Sequence, residues 1–309
     1  MEISALNMQK VASPDADFRG DLGAAWFAPL RPWITHSDPR ATGRLDLALL
    51  NRFAAARGVR TEDGLPLRFV EAWPTSAAAY EGSIGESGTV PTRTHGPGML
   101  HDWFNALAWL AFPRIKARLN RLHREALATG ADRAAGRKPG GGATDGPGAS
   151  GVMPARRGPL RDAATLLDEN GALFVCSDPA LAANLRNRDW QSLFLEARER
   201  FAASVTVQVL GHGLHEKLLA PYKAACAHAW IVAVPFGVPA GRQRDALDAT
   251  VAAQLRADTL RVANLCPLPL LGVPGWWPAN VDAAFYDDPA VFRRERNERR
   301  EEKNPPSLA

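Results

Sequence analysis

Cysteine is scarce. Cys176, Cys226 and Cys266 are the only three in 309 residues. They are odd in number, far apart and contain no CxxC pair, which excludes a disulfide framework and a thiolate zinc site. Each sits among apolar neighbours, so the expectation is three buried free thiols. Long hydrophobic runs are missing too. Stretches 106–113, 224–240 and 263–278 fall short of the ~18–20 uninterrupted apolar residues of a spanning helix. His228, Pro235 and several prolines interrupt the last two. Residues 1–11 mix Glu2 and Lys10 with apolar residues and lack a signal-peptide core. The reading is a cytoplasmic protein with no membrane span. No Walker A pattern and no GxGxxG occurs, and no serine stands in a GxSxG context. Nucleoside triphosphate, nicotinamide and flavin chemistry therefore lack motif support.

Net charge is small as well, with 37 basic against 33 acidic residues. Its placement matters more than its size. Residues 130–160 carry five Lys or Arg and two acids, and residues 293–309 carry six and four. The remainder is close to neutral. Stretch 130–160 also holds nine Gly and four Pro and almost no large apolar side chain. Such a segment cannot bury enough surface to offset its ordering entropy, so it reads as a disordered Gly/Pro-rich insertion. Neither basic segment carries a pattern of stacking aromatics, so no specific nucleic-acid partner is expected.

What is present is enough hydrophobic residue, 46%, for a sizeable core. Residues 1–129 and 161–292 read as one globular domain, with 130–160 as the insertion and 293–309 as a charged tail. Helices are expected over 44–57 (stopped at Gly58), 99–111, 114–128, 212–219 and 242–256. Asp178-Pro179 opens a further short helix. Strands are expected over 67–73, 205–210 and 227–234. Asn170-Gly171, between Ala163–Leu167 and Ala172–Cys176, is a strong two-residue hairpin signal. The predicted fold class is α+β: helices packed on a small, mainly antiparallel sheet.

Four separated blocks carry a family resemblance. They are His101-Asp102-Trp103-Phe104-Asn105-Ala106-Leu107 with Phe112-Pro113-Arg114; Arg161-Asp162 with Asp168-Glu169-Asn170-Gly171; Gly211-His212-Gly213-Leu214 with Glu216; and Gly272-Val273-Pro274-Gly275-Trp276-Trp277 with Phe285-Tyr286-Asp287-Asp288. In this order, over about residues 80–293, the chain resembles a bacterial family of unknown function, the one numbered three thousand and twenty-five. The resemblance implies no known activity.

Polar residues recur inside these blocks. His101, Asp102 and Asn105 share one face of the 99–111 helix and point to a pocket wall with His101 as ligand or general base. His212 and Glu216, four apart just after a strand, point to two metal ligands on one helix face, with His228 as a third. Arg161 and Asp162 are further catalytic or positioning candidates. Asp168 and Glu169 are expected to serve the hairpin turn. Lys116, Asn120 and His123 form a stripe opposite Ile115, Leu119 and Leu122, and are expected to face solvent. The function this supports is a metal-assisted or acid/base hydrolase acting on a small molecule, with a divalent metal as cofactor. The alternative is a non-catalytic binding or scaffold protein in which the same residues cap helices and satisfy buried networks.

Overall fold

The structure, a computed structural model, describes residues 20–135, 158–234 and 243–293. Most of the 130–160 insertion and the tail after Arg293 lie outside the described residues.

Helix α1 (Arg31–Ile34) follows a 3-10 turn over Ala25–Leu30. Helix α2 (Leu47–Arg57) begins at Asp46, which accepts from the Leu49 N–H, and ends at Gly58 with φ +66°. Strand β1 (Arg68–Glu71), helix α3 (Ala77–Ser87) and strand β2 (Thr89–Thr92) form one βαβ unit, with β1 and β2 paired in parallel. Helix α4 (Met99–Ala111) is apolar almost all round, and Trp103 through Ala111 are all buried. It is the central helix of the core.

Phe112 breaks the helical geometry, and Pro113 starts helix α5 (Pro113–Ala135), where its missing N–H costs nothing. The next two N–H groups, of Arg114 and Ile115, need an acceptor. Asp248 supplies both, at 2.9 Å each, from helix α10 (Gln243–Gln254).

Helix α6 (Pro159–Asn170) runs straight into strand β3 (Gly171–Cys176). The hairpin expected at Asn170-Gly171 is therefore a helix-to-strand corner. Gly171 has an extended backbone, with φ −81° and ψ 155°. Space rather than positive φ requires the glycine, since a Cβ there would lie 2.1 Å from the Leu167 carbonyl oxygen. Helix α7 (Pro179–Asn187) is capped by Asp178, and helix α8 (Arg198–Ser204) leads into strand β4 (Val205–Val209). Helix α9 (His212–Lys217), strand β5 (Cys226–Ala233) and strand β6 (Cys266–Pro269) complete the order. Among the described residues the larger sheet has strand order β4-β3-β5-β6. Its outer ladders, β3–β4 and β5–β6, are antiparallel and the inner β3–β5 ladder is parallel. The fold is thus α+β, one domain of helices on a small mixed sheet.

Two local expectations are corrected. Only Cys176 is buried, whereas Cys226 is exposed and Cys266 intermediate, because both lie toward the sheet margin on β5 and edge strand β6. Lys116, Asn120 and His123 do not face solvent and are only 4–6% exposed. Helix α5 packs against α3, α6 and α10, so it has little free face to give to water.

Candidate functional site

A cleft of about 560 Å³ opens between α3, α4, α5 and α6, with His212 at its edge and Trp73 and Thr75 near its mouth. Its floor combines residues far apart in the chain. Helix α4 contributes His101, Asp102 and Asn105; α5 contributes Lys116, Asn120 and His123; α6 contributes Arg161, Thr165, Asp168 and Glu169.

The centre of the site is the meeting of α4, α6 and α9. His212 opens α9 between two glycines, and both are there for approach rather than for flexibility. A Cβ on Gly211 would lie 2.5 Å from the Glu169 carbonyl oxygen, and one on Gly213 would lie 2.5 Å from Glu169 Oε2. With hydrogen in those places, the start of α9 lies against the end of α6. Leu210 and Gly211 N–H both donate to the Gly171 carbonyl, at 3.0 and 2.9 Å. His212 Nε2 is then 3.4 Å from Glu169 Oε1, and His101 Nε2 approaches the same oxygen at 3.8 Å. The two imidazoles meet edge to face, with centroids 4.6 Å apart.

Carboxylates also stand behind both rings. His101 Nδ1 is 3.1 Å from Glu216 Oε2. A carboxylate accepts, so Nδ1 is the donor of this pair and Nε2 is the ring atom turned toward Glu169. His212 Nδ1 is buried without a hydrogen-bond partner among the described residues, 3.8 Å from Asp168 Oδ2. Asp168 is itself held by Lys116 Nζ at 2.5 Å. Burial alone would raise the Asp168 carboxyl, but Lys116, with His212 and His123, carries the group down to about 2. Glu169 is also raised by burial, and the opposing contact with His212 brings it below its ordinary value.

His101, Glu169 and His212 thus offer ligand atoms that all lie within 4.8 Å of one another. Ligands about 2.0–2.2 Å from a tetrahedral zinc are roughly 3.3–3.5 Å apart. The observed 3.4 and 3.8 Å are close to that spacing. Two histidines and one carboxylate on a cleft wall, with carboxylates behind the rings, are a donor set suited to a divalent metal with an open coordination position.

Deeper in the cleft, Asn105 donates to the Tyr80 hydroxyl at 2.8 Å, and Asn120 donates to Glu81 Oε2 at 2.7 Å. Burial raises the Glu81 carboxyl to about 7, against the pull of the Asn120 hydrogen bond. Burial also lowers His123, which favours its neutral form.

The residues singled out in the sequence are distributed as follows. His101, Asp102, Asn105, Arg161 and His212 line the cleft. Glu216 stands behind His101 rather than beside His212 as a second ligand. Asp102 is taken up by Arg93, which donates to it through its backbone N–H, Nε and Nη2 at 2.6–2.8 Å. Asp162 is exposed and lies outside the cleft lining. His228 sits on β5 opposite Gly171 and Pro267, also outside it. His215 is a core residue, one of a cluster of three rings with Phe27 and Phe104. Sequence reasoning gave Asp168 and Glu169 to a turn and Lys116, Asn120 and His123 to solvent. A signal for Asp168 and Glu169 was available. Pro159 at a helix start, with Leu160, Ala163, Ala164 and Leu167 at helical spacing, marks 159–170 as one amphipathic helix.

Among the described residues, no helix is long and apolar enough to cross a membrane. No curated protein sequence and no solved structure matches the chain. A family model does: residues 67–296 match the family described as "Protein of unknown function (DUF3025)". That span contains all four sequence blocks and every residue that meets at Glu169, and the chain belongs to this family.

Proposed function

We propose that the protein is a metal-dependent hydrolase of a small polar molecule, with His101, Glu169 and His212 as the ligands of one divalent cation. One observation carries the reading. Three atoms suited to coordinate a cation converge from three helices to within 4.8 Å of one another, and Glu216 holds the His101 ring from behind. Such a convergence of two imidazoles and a carboxylate is the ligand geometry that a divalent cation requires.

A metal held there supplies Lewis acidity and lowers the pKa of a bound water. The protein's own groups divide the remaining work. Glu216 fixes the His101 tautomer, and Lys116 keeps Asp168 ionised behind His212. Glu81, close to neutrality in its pKa, is suited to exchange a proton with substrate. Hydrolysis would place the hydroxyl of water on the electrophilic centre and its proton on the leaving group. In the second reading, that of a non-catalytic protein, the polar residues are structural. Asp102, clasped by Arg93, fits that description.

The test is metal content. The full chain, dialysed against zinc or manganese and then against buffer, should retain one ion per chain and melt at a higher temperature than the chelated form. His212→Ala should lose both effects while remaining folded. Absence of retained metal together with an unchanged melting temperature overturns the metal site.

A further inference from the structure

Three cationic side chains line the cleft: Arg93, Lys116 and Arg161. Two are engaged. Arg93 is clasped to Asp102 and Lys116 to Asp168. Arg161 is different. It is half-buried, and among the described residues its guanidinium makes no hydrogen bond and no ion pair. Its charge acts on the buried groups beside it, since it disfavours protonated His123 and favours ionised Glu81. His123 is 6% exposed and likewise has no hydrogen bond among the described residues. An unpaired cation and an unpaired ring nitrogen on the walls of one cleft are both available to a ligand.

The charge balance of the cleft points the same way. Apart from Glu81, the lining carboxylates are Asp102, Asp168 and Glu169, which match the three cations. A divalent ion at His101, Glu169 and His212 would leave the cleft net positive, and such a cleft concentrates anions. Arg161 lies in the first turn of α6, where the helix dipole adds to its field.

We propose that Arg161, with His123 lining the same cleft, is the recognition subsite for an oxyanion on the substrate, so that the hydrolase acts on a small molecule bearing a phosphate or carboxylate group. This rests on the hydrolase reading for the word substrate, but the anion subsite itself does not require the metal. A guanidinium suits such a group because its planar donors match two oxygens at once. The 560 Å³ of the cleft suits a ligand of small-molecule size.

Binding of inorganic phosphate and of malonate to the full chain, chelated and manganese-loaded, tests the assignment by calorimetry. At least one probe should bind saturably. Arg161→Gln should weaken it about tenfold or more, the worth of a lost charge-assisted contact. Arg161→Lys, which keeps the charge, should retain part of the affinity, and it serves as the test if the glutamine variant fails to fold. Asp162→Asn, on the adjacent exposed residue, should bind as the parent does. Metal content is measured on the same samples. Retained metal with parental anion affinity in both Arg161 variants overturns the subsite alone. Arg161-dependent anion binding in a chain that takes up no metal overturns the metal site and leaves the subsite standing. Binding of neither probe by the parent protein also overturns the subsite.

Discussion

Replacing Asp248 by asparagine should make the protein's stability less sensitive to neutral pH, by a calculable amount. Asp248 is 1% exposed and caps α5 from a distant helix, accepting the Arg114 and Ile115 N–H bonds. Burial raises its carboxyl from 3.8 to about 6, and the two N–H bonds and the charges of Arg114 and Arg57 do not compensate. Asp245, on the same face of α10, is already paired with Arg57. A displacement of that size separates the charged and neutral forms by about 3 kcal/mol. Because the folded value is the higher one, the folded state prefers the protonated acid. Its contribution is fully present below the unfolded value near pH 4 and is lost as pH rises through about 6. Asparagine keeps a carbonyl acceptor and never ionises. The stability of Asp248→Asn relative to the parent should therefore rise by about 2.5 kcal/mol between pH 4 and pH 7.5. Asp248→Ala removes the acceptor and should lose about 2 kcal/mol at pH 4, through an uncapped helix and two unpaired N–H groups. Urea unfolding followed by tryptophan fluorescence at the two pH values gives each difference. A parent-to-asparagine difference that stays within about 0.5 kcal/mol across this range would refute the reasoning, because burial would then not dominate at Asp248.

Other substitutions probe the metal cluster and the core. In Gly213→Ala the new Cβ falls 2.5 Å from Glu169 Oε2, the movable end of a side chain. The chain should fold and bind zinc at least about tenfold more weakly. In Gly211→Ala the clash is with backbone atoms of residues 169–171 at 2.5–2.7 Å, which cannot step aside. A stability loss of about 3 kcal/mol is expected, and equal melting temperatures for the two alanine variants would contradict the distinction. Glu216→Gln should weaken metal binding by about 10- to 100-fold through loss of the His101 orienting contact, while the chelated protein loses less than about 1 kcal/mol. Titration with a zinc-competing dye measures the first and urea unfolding the second. Burial lowers His215 to about 3, so it stays neutral in the fold and protonates in the unfolded chain. Its contribution is lost as pH falls from 6.5 toward 3, and His215→Phe should show a flatter fall in melting temperature between pH 7 and pH 4. Parallel curves for the two proteins would contradict this.

The contrast between α4 and α6 shows why the site was only half legible in the sequence. Helix α4 was legible to its ends, because thirteen residues at helical spacing meet a glycine on one side and Phe112-Pro113 on the other. His101 and Asn105 came with it. Helix α6 was misread because Asn170-Gly171 imitates a hairpin turn, and the rule for that dipeptide assumes a glycine chosen for positive φ. Gly171 is extended, and it is glycine because the last turn of α6, at Leu167, leaves no room for a Cβ. The long-range crowding is at Gly211, whose Cβ would meet the backbone of residues 169–171, 40 positions away, and no local pattern contains it. The error then spread. Reading 163–167 as a strand turned Asp168 and Glu169 into turn residues, and without Asp168 nothing required Lys116 to be buried. Lys116, Asn120 and His123 looked like a solvated stripe because amphipathicity reports which face is apolar, not whether the polar face is wet. The pairing of His212 with Glu216 had the reverse fault. Both do belong to one site, but Glu216 serves His101, 115 residues away on α4. Spacing along a helix identifies residues that share a face. Which of them share a ligand is decided by the helices packed opposite, here α4 and α6, and the end of α6 was hidden by the Asn170-Gly171 pair at its junction with β3.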